Sequence, residues 1–230
     1  MDMTLNQDAV AEIWRPVVLT FESACSFGNP FLDVEIWAEF TGSSGRVIRR
    51  EAYWDGGRTY CVSFAPTELG VWNYVIEAPE QTGLNGCMGR VEAVPYAGDL
   101  DLYRHGFIRV ADDSRMFAYS DGMPFFWLGD THWEFAYRES WDASNHPGMT
   151  SQFRGMVDLR AEQGFTVYQT NLRSDMGAGD RYWIDGGMAK GVEDVPNVAF
   201  YQRELDRRMA YIADAGLVNA LGQAWAFAIL

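Results

Sequence analysis

Cysteine is scarce in this chain. Cys25, Cys61 and Cys87 are the only three in 230 residues, an odd and widely spaced set in strand-like or turn-like text. That pattern supports neither a disulfide framework nor a zinc site and points to reduced thiols. Histidine is equally rare, and His105, His132 and His146 show no metal-ligand spacing. Basic residues number 18 against 32 acidic ones, and the formal net charge of -14 opposes attraction to phosphate backbones or anionic lipid surfaces. No nucleic-acid and no membrane partner is expected. Met1 to Ala11 lacks the basic start and apolar run of a signal peptide, and no stretch approaches the length of a transmembrane helix, so a cytoplasmic location is expected. No G-x-G-x-x-G follows a strand-like run and no G-x-S-x-G elbow is present, which argues against dinucleotide binding and a serine hydrolase. The stretch holding Asp175, Gly177, Gly179, Asp180 and Asp185 misses the spacing of a calcium loop and lacks its closing glutamate. No metal or other cofactor is expected.

What the chain does have is apolar and aromatic mass. With 48% hydrophobic and 15% aromatic residues over 26.0 kDa it can build a substantial core, and its length favours two domains. From Val10 to about Tyr96, short apolar or alternating runs are separated by turn-rich breaks at 41–45, 55–57, 65–70 and 82–86. Val34, Ile36, Ala38 and Phe40 alternate with Glu35, Trp37 and Glu39, one set facing inward. Further runs at 47–50, 60–64, 71–76 and 89–94 complete the pattern of an antiparallel β-sandwich over residues 1–98. The aromatic and turn residues at 29–31, 53–57 and 64–72 either form a sugar-binding surface or pack a domain interface, and the structural role is the one expected.

After about Gly98 the pattern changes. Residues 106–110 and 116–119 flank a turn and predict a hairpin, and the continuous apolar run Pro124 to Leu128 predicts a buried strand. Phe153, Met156, Val157 and Ala161 recur at helical spacing, with Thr150 or Ser151 as N-cap and Gly164 beyond the end. Residues 165–170 predict a second strand. Tyr201, Leu205, Met209, Ile212 and Ala213 line a second helix ending at Gly216, and residues 217–225 predict a third strand. Strand, helix, strand, helix, strand is the order of a parallel α/β structure. The long stretches 130–149 and 171–199 after the first two strands favour a (β/α)8 TIM barrel over a doubly wound sheet. A whole barrel needs roughly 250 residues by itself, so residues 99–230 are expected to be its first part, cut off after the third strand.

Polar groups cluster where barrel active sites sit. The first predicted strand is followed by Asp130, His132, Trp133 and Glu134, which supply the carboxylates and the aromatic faces that sugar chemistry uses. The structural alternative is that Asp130 caps a turn and Trp133 packs. At the second strand end, Asn171 and Arg173 either bind sugar hydroxyls or an acidic sugar carboxylate, or anchor the loop. Gln223 and Trp225 alternate on the third strand and face either the barrel mouth or its packed interior.

Two stretches carry a resemblance. The run Phe117-Ala118-Tyr119-Ser120-Asp121-Gly122-Met123-Pro124-Phe125-Phe126-Trp127-Leu128-Gly129-Asp130-Thr131 resembles the entrance of the apiosidase-like glycoside hydrolase family. Residues 200–218 and Ala224-Trp225 look like its second helix and third strand. The runs at 29–34 and 64–72 are similar to the β-sandwich domain of unknown function that usually precedes it. The resemblance implies an (α/β)8 barrel cleaving glycosidic bonds of plant cell-wall polysaccharide, with apiose-containing pectin side chains as the known type of substrate. It also implies an acid/base and a nucleophile after the fourth and seventh strands, beyond Leu230, so that the catalytic carboxylates are not named here. Asp130, Trp133, Asn171 and Trp225 transfer as pocket residues. The competing expectations are a noncatalytic carbohydrate-binding or scaffold protein, and an inactive fragment; the oligomeric state is left open.

Overall fold

Between Val34 and Phe40 every second side chain is apolar, and those four are the ones the structure buries. The computed structural model describes residues 7–112, 115–133, 139–144, 146–171 and 195–222. They divide into two compact units, the first ending at Phe107 and the second starting at Ile108.

The first unit is a β-sandwich. Strands β1 (Asp8–Glu12), β2 (Val17–Glu22), β3 (Trp37–Thr41), β4 (Val47–Glu51), β5 (Tyr53–Trp54), β6 (Thr59–Phe64), β7 (Gly70–Glu77) and β8 (Met88–Val94) make two sheets, ordered β1-β8-β7-β3-β4 and β2-β6-β5. The facing sides share one core: Leu19, Phe21, Val62 and Phe64 from the smaller sheet meet Ala38, Phe40, Trp72, Tyr74 and Ile76 from the larger. Phe40 and Phe64 stack across it with ring centroids 3.8 Å apart, and Trp72 lies edge-on to Phe64 at 5.2 Å. The buried indole N–H of Trp72 donates to the Glu68 carbonyl at 3.0 Å. Phe64 and Trp72 are therefore core residues, whereas Phe31 and Tyr53 are exposed.

One pairing departs from the antiparallel expectation. β1 runs parallel to β8, from Asp8 beside Arg90 to Glu12 beside Val94. The chain leaves β1 for the other sheet through residues 13–16, so β1 has no hairpin partner and lies instead along the last strand. That crossing also gathers the segment after β8. The Glu12 carboxylate accepts from the Ala97 N–H, Trp14 meets Phe107 edge-on at 5.2 Å, and the Arg15 guanidinium lies 5.7 Å from the Tyr103 ring. Residues 96–107, with the short helix α1 (Asp101–Arg104), thereby fold with the sandwich.

The second unit is a partial α/β domain. A small antiparallel sheet of β9 (Arg109–Val110), β10 (Phe117–Ala118) and β11 (Pro124–Phe125) precedes a parallel sheet ordered β12 (Gly129–His132), β13 (Val167–Asn171) and β14 (Val218–Gly222). Helix α2 (Gln152–Glu162) joins β12 to β13. Before β14, helix α3 (Val198–Phe200) runs through a π-helical segment (Tyr201–Asp206) into α4 (Arg207–Asp214).

The expected buried strand at 124–128 is corrected. Pro124 and Phe125 belong to the antiparallel sheet, Phe126 is 75% exposed, and the first parallel strand starts at Gly129. Thr166 forces the break: its hydroxyl donates to the Phe126 carbonyl at 2.5 Å and accepts from the Leu128 N–H at 3.0 Å, replacing regular ladder bonds.

Helix ends follow the sequence. Ser151 Oγ accepts from the Arg154 N–H at 3.0 Å at the start of α2, and Gly164 (φ +77) and Gly216 (φ +79) take the left-handed conformation just past α2 and α4. Replacing Ser151 by alanine is expected to cost about 1–2 kcal/mol, read as a lower urea midpoint at unchanged slope.

Candidate functional site at the ends of the parallel strands

Register divides the polar residues of the parallel sheet between two faces. Asp130, Tyr168 and Asn219 are neighbours across the three strands, as are His132, Thr170 and Leu221. Alternation puts this set on one side and Thr131, Gln169 and Asn171 on the other.

The first side is covered by helices. Tyr168 packs among Phe153 and Val157 of α2, Leu205, and Ile212 of α4. The carboxylate of Asp130 accepts from Arg160 Nε of α2 at 2.6 Å, and its other oxygen accepts from the Thr131 N–H at 2.8 Å. His132 Nε2 lies 2.8 Å from Glu139 Oε1, and its Nδ1 lies 2.5 Å from the Tyr168 hydroxyl. With Nε2–H donated to the carboxylate, Nδ1 accepts from the tyrosine. Burial raises the Tyr168 pKa, and the negative charges of Glu139 and Asp130 raise it further, so this hydroxyl keeps its proton. Thr170 Oγ1 donates to Asn219 Oδ1 at 2.8 Å, and the Asn219 amide meets Met209 Sδ.

This network continues to a buried cation. Arg208 is 2% exposed; it donates to the Glu139 carbonyl at 2.8 Å and to the carbonyl and carboxylate of Glu204 at 2.8 and 2.6 Å. Trp141, in the connection from β12 to α2, has the guanidiniums of Arg207, Arg154 and Arg208 at 4.6, 5.4 and 5.8 Å from its ring. Burial raises the Glu204 carboxyl, and hydrogen bonds from Arg203, Arg208 and Arg207 outweigh it, bringing the pKa down to about 2. Asp130 thus ties β12 to α2, and His132 bridges Tyr168 of β13 and Glu139 of the connection.

The second side has less cover. Its lower part is apolar, where Val167, Val218 and Ala220 pack with Ile108, Tyr119 and Phe125. Toward the C-terminal ends it turns polar: Thr131 and Gln169 are exposed, and Asn171 closes β13 at 3% exposure. Among the described residues the Asn171 Oδ1 has no hydrogen-bond partner although it is buried. Its neighbour in register is the exposed Gly222, where a Cβ would lie 3.7 Å from that oxygen. Trp133 follows β12 and is 40% exposed.

Of the residues singled out in the sequence, Asn171 lies on the less covered side, Asp130 and His132 lie on the helix side, and Trp133 stands at the strand end. Glu134, Arg173, Gln223 and Trp225 lie outside the described residues. Thr131, Gln169 and Gly222 have no distinctive spacing; alternation along β13 puts Gln169 on the face of Asn171, and register sets Thr131 beside Gln169 and Gly222 beside Asn171. The acidic stretch 175–185 is also outside the described residues, and among the described ones no group of three or more His, Cys, Asp or Glu is placed to hold a metal ion.

A solved structure of a candidate glycoside hydrolase from Bacteroides vulgatus superposes with a TM-score of 0.63 at 23% identity, a likeness of fold. The match takes in 94% of this chain and 41% of that one, so the chain spans less than half the length of that protein. No curated protein matches the sequence. Residues 10–79 match the domain of unknown function DUF5060. Residues 111–229, more than half of the chain, match the apiosidase-like catalytic domain, and the protein belongs to that apiosidase-like family.

Proposed function

We propose that this protein is a glycoside hydrolase whose β12, β13 and β14 are the first three strands of a (β/α)8 barrel, with the substrate at their C-terminal ends on the side away from the helices. The observation that carries this proposal is that the parallel sheet, with its polar strand ends, falls inside the apiosidase-like match. The substrates are plant cell-wall or pectin-derived oligosaccharides. Trp133 offers an aromatic face for a sugar ring and Asn171 a hydrogen-bonding group. Glu134, Arg173, Gln223 and Trp225 complete the pocket on this proposal.

Cleavage follows a general-acid mechanism in which a second carboxylate stabilises or attacks an oxocarbenium-like centre. Asp130 is held by Arg160, and Glu139 by His132, so neither is assigned those roles. The acid and the second carboxylate are assigned to barrel strands other than β12, β13 and β14. Incubation with pectin-derived oligosaccharides, followed by chromatography of the products, tests the proposal. Release of monosaccharide is expected from a form of the protein that carries those further barrel strands. Saturable binding with no release would favour a noncatalytic carbohydrate-binding protein instead.

A further inference from the structure

Trp133 is the first residue beyond β12, and among the described strands β12 bonds only to β13, in a pairing that stops at His132 beside Thr170. A strand end held along one side opens readily. Two side-chain bonds restrain this one. The His132 imidazole accepts from the Tyr168 hydroxyl at 2.5 Å through Nδ1 and donates to Glu139 Oε1 at 2.8 Å through Nε2. Tyr168 is buried with its ring edge-on to the imidazole at 5.7 Å, so that half of the clamp is anchored in the core. Glu139 is anchored too, because its carbonyl accepts from the buried Arg208 at 2.8 Å.

Among the described residues the second carboxylate oxygen of Glu139 has no partner, so His132 is what holds that side chain. One imidazole thus joins the two positions that flank residues 133–138. Packing alone does not call for it, since leucine or phenylalanine would also fill space beside Tyr168. Neither would bond at two points, whereas neutral imidazole carries one acceptor and one donor.

We infer that His132 is a positioning residue that fixes the Trp133 ring for contact with sugar, and that the Tyr168 hydroxyl and the Glu139 carboxylate hold it in that role. The inference rests on the sugar site proposed above and deepens it. Trp133 is 40% exposed, so little of its surroundings can hold the ring and the backbone it leaves from must do so. A binding group keeps its productive geometry only when the residues behind it are locked by packing and hydrogen bonds. Tyr168 and His132 supply both.

The test reads Trp133 directly. The nine tryptophans are replaced by 5-fluorotryptophan, and Trp133→Phe assigns the Trp133 fluorine signal. His132→Leu removes both bonds and keeps apolar bulk. Tyr168→Phe removes only a hydroxyl from a packed ring, which keeps the test decisive if His132→Leu does not fold. The Trp133 signal is expected to shift and broaden in both variants and to return toward the wild-type position in His132→Gln, whose amide again carries an acceptor and a donor. Calorimetric titration with arabino-oligosaccharides and oligogalacturonides reads the consequence: for whichever binds, His132→Leu is expected to raise the dissociation constant about 3- to 10-fold. Combining His132→Leu with Trp133→Ala is expected to lose no more affinity than Trp133→Ala alone, a coupling that destabilisation by itself would not produce. An unmoved Trp133 signal in the variants that fold, or additive losses of affinity, overturns the inference. A moved signal in a protein whose wild type binds neither oligosaccharide keeps the tether to Trp133 and defeats the sugar site.

Discussion

Arg208→Met is expected to destabilise the second unit by about 3 kcal/mol, near the lower end of the range for breaking a buried charge pair. The guanidinium is 2% exposed and supplies the bonds to the Glu139 and Glu204 carbonyls described above. Methionine fills much of the volume but leaves both carbonyls without that donor. It also removes a cation from beside Phe153, whose ring centroid lies 5.2 Å away. Glu204 keeps Arg203 and Arg207 as partners at 2.9 and 3.0 Å, which holds the loss below the upper end of the range. Arg208→Lys is expected to recover only part of the loss, because one ammonium group cannot reproduce a planar fork that bonds in two directions. Urea unfolding of both variants checks this, and an unchanged midpoint for the methionine variant would refute the role given to Arg208.

Acid is expected to loosen the same cluster. The Glu204 pKa is depressed from an ordinary 4.5 to about 2 in the folded chain. A group lowered on folding contributes stability that is fully present above its unfolded value and is lost as pH falls through its folded value, here between about 4.5 and about 2. Because the carboxylate is partly open to solvent, the shift is discounted to about 2 kcal/mol. Other lowered carboxyls, Glu12 and Glu68, act in the same direction but are exposed and bound by neighbours on the sandwich. The comparison with Glu204→Gln isolates the cluster: its unfolding free energy should fall less steeply from pH 5 to pH 2 than that of the wild type. Parallel curves would show that the arginines do not depend on this carboxylate.

Much of the architecture was legible because its physics is local. Alternation from Val34 to Phe40 set the buried face of the sandwich, and Ser151 and Gly164 marked the ends of α2 through capping chemistry that needs no distant partner. The first parallel strand was misplaced because Phe125 to Leu128 is apolar without being buried throughout; the pairing that decides the matter involves Phe117 and Thr166, remote in sequence. Arg208 was invisible for a related reason. Leu205, Arg208 and Ile212 follow the i, i+3, i+7 spacing of one buried helix stripe, but a cationic side chain at such a position does not announce burial, and Met209 at i+4 packs only partly. The burial of Arg208 depends on carbonyls and on Trp141, which sequence periodicity does not reveal.

The polar residues at the strand ends show the same limit. Alternation groups Asp130 with His132 and separates both from Thr131, but helices decide which group they cover. Asn171 stood out as a polar strand end. Its relation to Gly222 is a matter of register across 51 positions of chain and becomes visible only when the strands pair.

The central claim is that sugar is held at the C-terminal ends of the parallel strands, on the side away from the helices. The most direct measurement is a crystal structure of the protein with a neutral pectin-derived oligosaccharide. A sugar ring against Trp133, with a hydroxyl within hydrogen-bonding distance of the Asn171 side chain, is the predicted result. Density for the oligosaccharide on the sandwich, or among Asp130, His132 and the helices, would contradict it.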